Sequence, residues 1–254
     1  MQTLILDIEA DNLLRDATKV WCIVGYLVDE ATFHIYVDKD EDLCYPKNTT
    51  IYTDIYNYLS FLEDKYIVGH NICSYDLPLL NKLFSFSYKI NINNIADTII
   101  MSRLFFPDRP GHSLEYWGGK LRFPKGVHKD FSKLSNDMLQ YCIQDVNITK
   151  RVYDVLKEEA GDWDWSASLT LEYNMQHIQT KQELNGVLFD VKKAEALLTK
   201  IQEEIHEIEQ KVIPAIPMTI KDLGEVRKPF LKSGEYSAIT IKFLDDCKKD
   251  KTML

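Results

Sequence analysis

Residues 3–12 read TLILDIEADN. Leu4, Ile5 and Leu6 form a dry run of the kind that fills a buried strand, and Asp7 and Glu9 follow one residue apart. In an extended strand, residues two apart point to the same face. Two carboxylates therefore share one patch at the end of a buried strand. Like charges that close repel unless water solvates them or a cation sits between them. Either the strand end is wet, or it is a metal site.

The surrounding pattern sets the frame. Residues 20–28, 32–37, 66–69 and 94–98 are also strand-like, rich in β-branched and aromatic side chains between polar breaks. Helical spacing of apolar residues recurs over 54–62, 76–84 and the stretch ending at Phe105, and Ser113 can cap a further helix. From 135 to 159 a long stripe places Met138, Tyr141, Cys142, Asp145, Ile148, Thr149 and Val152 on one face. Strands first, then strands alternating with helices, predict an α/β fold: a mixed β-sheet flanked by helices. Gly161-Asp162 predicts a boundary, giving a domain over 1–162 and a helical C-terminal extension over 163–254. Within the extension, helices are expected over 168–184 and, capped by Asp190, over 191–212; residues 221–254 are polar, lysine-rich and weakly patterned.

Composition narrows the class. The 254 residues are 45% hydrophobic and 11% aromatic, enough for a packed core and unlike a disordered chain. The apolar runs are too short to span a bilayer, and Met1 leads straight into strand-like sequence with no signal-peptide core, so no membrane partner is expected. Five cysteines without paired spacing make neither a disulfide framework nor a zinc site, which predicts a reducing, cytoplasmic setting. The net charge of −9 argues against general coating of nucleic acid but leaves room for a local basic strip. Residues 118–133 offer one in Lys120, Arg122, Lys125 and Lys129, interleaved with Phe123; a solvated loop is the plainer reading.

Two more acids stand out. Asp76 begins a helix just after a strand ends at Gly69-His70-Asn71, a place where aspartate commonly serves as an N-cap. Asp145 lies on the apolar stripe of the long helix, where an unpaired carboxylate costs several kcal/mol (roughly 3–5). It needs either a buried Lys or Arg or a metal. Tyr141 is one turn earlier on the same face. Four carboxylates from three segments suit hard divalent cations such as Mg²⁺ or Mn²⁺, which take oxygen ligands. Two such ions about 4 Å apart can drive phosphodiester hydrolysis, and a tyrosine hydroxyl one turn from a ligand can orient the attacking water.

Asp7-x-Glu9 on a first strand, Asp76 after a His-Asn turn, and Tyr141-x-x-x-Asp145 on a late helix, in that order, resemble the three exonuclease motifs of the DEDD superfamily, tyrosine subclass. IADTIIMSRL from Ile95, HSLEYWGGKL from His112 and QYCIQDV from Gln140 resemble the proofreading domain of bacteriophage family A DNA polymerases. KQELNGVLFD, residues 181–190, is similar to the segment that begins the polymerase part of those enzymes, ahead of the thumb. The resemblance implies an RNase H-like fold and two-metal 3′-5′ removal of nucleotides from single-stranded or frayed 3′ DNA ends. Asp7, Glu9 and Asp145 would hold the tighter ion, Asp76 would act through waters on the second, and Tyr141 would orient the nucleophilic water. No counterpart of the palm and fingers is recognisable, so no polymerase activity is expected from this chain. A separate polymerase chain could supply those parts, and host-cell cytoplasm is the implied setting. Two rivals stand beside this: a free-standing exoribonuclease of the same superfamily, and a non-catalytic subunit of a split polymerase.

Overall fold

The computed structural model describes residues 1–39, 42–87, 93–216, 230–231 and 233–249. Among the described residues, six strands form one sheet: β1 (Thr3–Ala10), β2 (Val20–Leu27), β3 (Thr32–Val37), β4 (Thr49–Tyr52), β5 (Tyr66–Gly69) and β6 (Ile95–Asp97). Their order is β4-β3-β2-β1-β5-β6. β1 runs antiparallel to β2 and parallel to β5, so the sheet is mixed, as the sequence pattern predicts. β4 falls outside the predicted strands. Pro46 and Asn48 mask its sequence, and its pairing is a parallel crossover to β3.

The helices are α1 (Ile55–Leu62), α2 (Asp76–Phe84), α3 (Thr98–Phe105), α4 (Leu114–Lys120), α5 (Asn136–Ala160), α6 (Ser166–Asn185), α7 (Val191–Val212) and α8 (Ala238–Lys249). Period-two alternation splits β1 between two cores. Leu4, Leu6 and Ile8 face one cluster with Leu59, Leu62, Leu79 and Leu80 of α1 and α2. Ile5 faces the other, beneath α5, with Leu139, Val146, Val152 and Leu156. Asp7 and Glu9 follow Ile5 on that second face. Each large apolar side chain that α5 buries contributes about 2 kcal/mol, which lets the same stripe carry Asp145 at a cost the fold tolerates.

The chain divides into two compact units, Met1–Val187 and Leu188–Leu254. The first unit runs past Gly161-Asp162 and takes in α6. α6 packs on α3, with Tyr173 and Thr180 buried. In the second unit, Asp190 caps α7 as expected, accepting from the Lys193 N–H at 3.0 Å. The apolar residues Leu198, Ile201, Ile205 and Ile208 of α7 are exposed. The weak pattern expected over 221–254 resolves into α8; residues 217–229, 232 and 250–254 lie outside the described residues. Among the described residues, no helix is long and apolar enough to cross a membrane.

Candidate active site

β1 delivers the first two acids. Glu9 is buried and Asp7 half-buried, on the face covered by α5. Asp76, the first residue of α2, is buried. Its side chain does not cap the helix; the preceding residue, Tyr75, holds the cap position without a side-chain bond. What places Asp76 is Asp97, a residue that sequence reasoning passed over. Asp97 is fully buried at the end of β6 and accepts from the N–H groups of Asn71, Cys73 and Ile99, each at 3.0 Å. The first two of these bonds hold the turn between β5 and α2, with Asn71 at φ 71°, a conformation asparagine tolerates.

α5 brings Tyr141, Cys142 and Asp145 over β1. Asp145 is 3% exposed, and its Oδ2 pairs with Lys125 Nζ at 2.7 Å. Its Oδ1 is buried and has no hydrogen-bond partner among the described residues. The Lys125 ammonium also lies 4.8 Å from the centre of the Tyr141 ring. Both readings of Asp145 meet here: it has a lysine partner and still presents one bare oxygen.

The electrostatics record how closely the acids gather. Burial, then Glu9, Asp145 and Asp76, push the Asp7 carboxyl well above the usual range, with Lys125 opposing. Burial, with Asp145 adding, raises Glu9 to about 8. Burial raises Asp76 to about 7, against hydrogen bonds from its own and the Ile8 backbone. Asp145 is raised by burial despite Lys125. Burial works against the Lys125 charge, but Asp145 and Tyr141 more than offset it, so its pKa is raised. Acids this hard to ionise together call for added positive charge.

The donor set fits a hard divalent cation. Ligand atoms of Asp7, Glu9 and Cys142 lie within 4.8 Å of one another. The sulfur is not the ligand that matters. Cys142 donates its thiol to Asp7 Oδ2 at 3.4 Å, and burial keeps that thiol protonated. The carboxylates remain, with the bare Asp145 Oδ1, an all-oxygen set of the kind Mg²⁺ and Mn²⁺ prefer.

Beside Glu9 lies a groove of about 370 Å³ lined by Leu13, Tyr75 and Phe131 among others. The loop from Asp11 to Lys19 that presents Leu13 is fixed. Asp11 accepts from Thr18 and Lys19, and Lys82 Nζ donates to the carbonyls of Leu14, Arg15 and Ala17. Tyr75 donates to the Asn12 carbonyl, and Phe131 accepts from the Trp21 indole. The signal in the sequence was slight: one apolar residue, Leu13, four positions after Glu9 in an otherwise polar stretch.

The proposed basic strip is divided. Lys125 turns into the acid cluster. Lys129 is exposed and lines a second groove of about 620 Å³ with His128, Gln140 and Tyr141. Lys120 and Arg122 are exposed at the end of α4, with Lys120 5.7 Å from the centre of the Tyr116 ring. Phe123 does not present a free stacking face: it packs against the α5 core and carries the Arg151 guanidinium 4.1 Å above its ring.

Comparison with known proteins falls in line with this arrangement. The sequence model of a 3′-5′ exonuclease family matches residues 2–160. The DNA-directed DNA polymerase of Enterobacteria phage T3 is 27% identical over 266 residues, covering 81% of this chain and 36% of that protein. The DNA-directed DNA polymerase of Escherichia phage T7 is also 27% identical, over 270 residues, covering 82% and 36%. The chain thus spans little more than a third of the length of these relatives. Among solved structures, Brucella melitensis NrnC with bound Mg²⁺ superposes with a TM-score of 0.54 at 17% identity, over 74% of this chain and 89% of that one. A structure described as the apo form of the nuclease matches with the same TM-score at 16% identity, over 74% and 88%. At that identity the likeness is one of fold, and the fold is RNase H-like.

Proposed function

The chain belongs to the 3′-5′ exonuclease family, and on that premise we propose that it removes nucleotides from the 3′ ends of DNA by metal-dependent hydrolysis. The observation that carries this reading is the convergence of Asp7, Glu9, Asp76 and Asp145, four acids from three segments, each raised by burial in a common cluster. Asp7, Glu9 and Asp145 would hold the tighter divalent ion, and Asp76 a second through waters. Bound there, such ions make a water nucleophilic at neutral pH and stabilise the leaving oxygen; the Mg²⁺ of the NrnC structure supports the choice of metal.

The chain's own residues do the rest. The Tyr141 hydroxyl, on a ring packed by His128 and Phe131, orients the water toward the terminal phosphodiester. A water oxygen–phosphorus bond forms as the bond from phosphorus to the penultimate 3′ oxygen breaks. The water releases a proton to solvent, and the leaving 3′ oxygen takes one up. The groove of Leu13, Tyr75 and Phe131 takes the terminal base, since an apolar and aromatic slot favours an unstacked base over one still in a duplex. The phage polymerase relatives support a polymerase context, and we place a separate polymerase chain as partner and host cytoplasm as setting.

The test is digestion of 5′-labelled single strands by the full chain with Mg²⁺ or Mn²⁺, against EDTA and the Asp7→Ala variant. Stepwise loss of 3′ nucleotides only with metal and only in wild type is expected. No nuclease activity with either ion would leave the non-catalytic reading standing. Matched RNA strands run alongside; faster cleavage of RNA would transfer the substrate and leave the family unchanged.

A further inference from the structure

The acid cluster contains its own cation. Among the described residues, no lysine or arginine other than Lys125 forms an ion pair with Asp7, Glu9, Asp76 or Asp145. Lys125 is not a surface residue that has drifted inward; the chain around it is fastened to α5. Pro124, the residue before it, accepts from Gln144 Nε2 at 3.0 Å. Gly126, the residue after it, lies so close to Tyr141 that a Cβ there would sit 3.3 Å from the ring. His128 and Phe131 then pack their rings around Tyr141, with centroids 5.9 and 6.5 Å from it. The segment from Pro124 to Phe131 wraps Tyr141 and delivers one ammonium to Asp145 Oδ2.

We propose that Lys125 is a positioning residue that stands in for a metal cation, holding the Asp145 carboxylate in place and yielding Asp145 Oδ2 when a divalent ion binds. The inference rests on the metal-dependent reading above. Its physical basis is competition: an ammonium at 2.7 Å from a buried carboxylate oxygen occupies the charge and the lone pair that a metal would use. The ammonium must be displaced or share, so part of the metal's binding free energy goes into breaking the pair. Lys125 is well placed to let go, since its side chain is 26% exposed and can turn to water or to a phosphate.

Titration calorimetry of the full chain with Mn²⁺, without DNA, reads this directly. Lys125→Met removes the competitor and keeps the aliphatic stem; it should bind Mn²⁺ about tenfold more tightly than wild type, the scale of one opposite charge near a carboxylate. Lys125→Arg keeps a cation and should not tighten binding. Unchanged or weaker Mn²⁺ binding by Lys125→Met overturns the inference and leaves the metal-dependent nuclease intact. Wild type that binds no Mn²⁺ overturns both. A second measurement needs no variant: acetylation of the Lys125 amine, followed by mass spectrometry of wild type, should run faster with Mn²⁺ than with EDTA. Equal rates would show that the pair does not open.

Discussion

The backbone N–H of Asp97 donates to the hydroxyl of Tyr173 across 3.1 Å, joining the end of β6 to α6. Both residues are buried, so the bond has no water to replace it. Tyr173→Phe leaves the N–H without an acceptor and should cost about 1–2 kcal/mol of stability. Denaturant unfolding checks this. Because the acids are untouched, nuclease activity per folded molecule should hold; an unchanged midpoint would show that α6 is not fastened by this bond.

Asp97 itself carries more. Asn is nearly isosteric, yet it turns one acceptor oxygen into a donor, and the Cys73 N–H or its neighbours then face N–H against N–H. Asp97→Asn should cost about 2–3 kcal/mol. It should also lower nuclease rate, since the turn it holds sets Asp76. The decisive comparison is with Tyr173→Phe at equal folded fraction: loss of rate in Asp97→Asn alone supports the positioning of Asp76, and equal rates would refute it.

These two residues also mark where sequence reading stops. Asp7 and Glu9 were legible because the strand period is two, and Asp145 because the helix stripe is otherwise apolar. Asp97 lies inside a strand-like stretch and gave no such signal: it caps α3, and its bonds to Asn71 and Cys73 cross 26 and 24 positions. Tyr173 accepts from a backbone N–H 76 positions away, and no periodicity announces that. Lys125 and Lys129 are two similar lysines in one loop; only the fold sends the first inward and leaves the second in solvent.

The metal-free protein should lose stability as pH rises. Glu9 and Asp76 ionise near 4.5 and 3.8 when free and near 8 and 7 in the fold. A raised carboxyl means the folded state binds the proton more tightly than the unfolded chain. Its stabilising effect is present below the free values and is lost as pH rises through about 8. With EDTA the melting temperature should fall between pH 5 and pH 8, and Mn²⁺ should flatten that slope. Glu9→Gln should flatten it as well while removing nuclease activity by orders of magnitude. A metal-free melting temperature rising from pH 5 to 8 would contradict the charge arrangement.

Tyr141→Phe removes one hydroxyl and keeps the ring that His128 and Phe131 pack against. If the hydroxyl orients the water, kcat should fall by roughly 10- to 1000-fold, the range for one positioned group. Mn²⁺ affinity should stay within about threefold, because the phenol is not a ligand. A large loss of metal binding would instead make Tyr141 part of the metal shell.

Leu13 offers the cleanest test of where the substrate ends. It is 75% exposed on a loop that Asp11 and Lys82 fix, so the fold does not need its side chain. Leu13→Ala should change stability by under about 0.5 kcal/mol. If the groove beside Glu9 takes the terminal base, the lost contact is of the size of one base-stacking interaction, about 1–3 kcal/mol. KM for single-stranded DNA should rise roughly 5- to 100-fold, with kcat less affected. The same slot predicts an end preference: a paired 3′ end must unstack at a cost of a few kcal/mol (about 2–4) before entering, and a mispaired end has already lost much of that. Wild type should therefore digest single-stranded and mispaired ends faster than paired ones, and Leu13→Ala should narrow the gap. Lys129→Ala, changing an exposed charge on the second groove, should lower the salt dependence of binding by about one phosphate contact and leave the paired-to-mispaired ratio alone. Equal wild-type rates on paired and mispaired ends would remove the terminal-base slot from this groove.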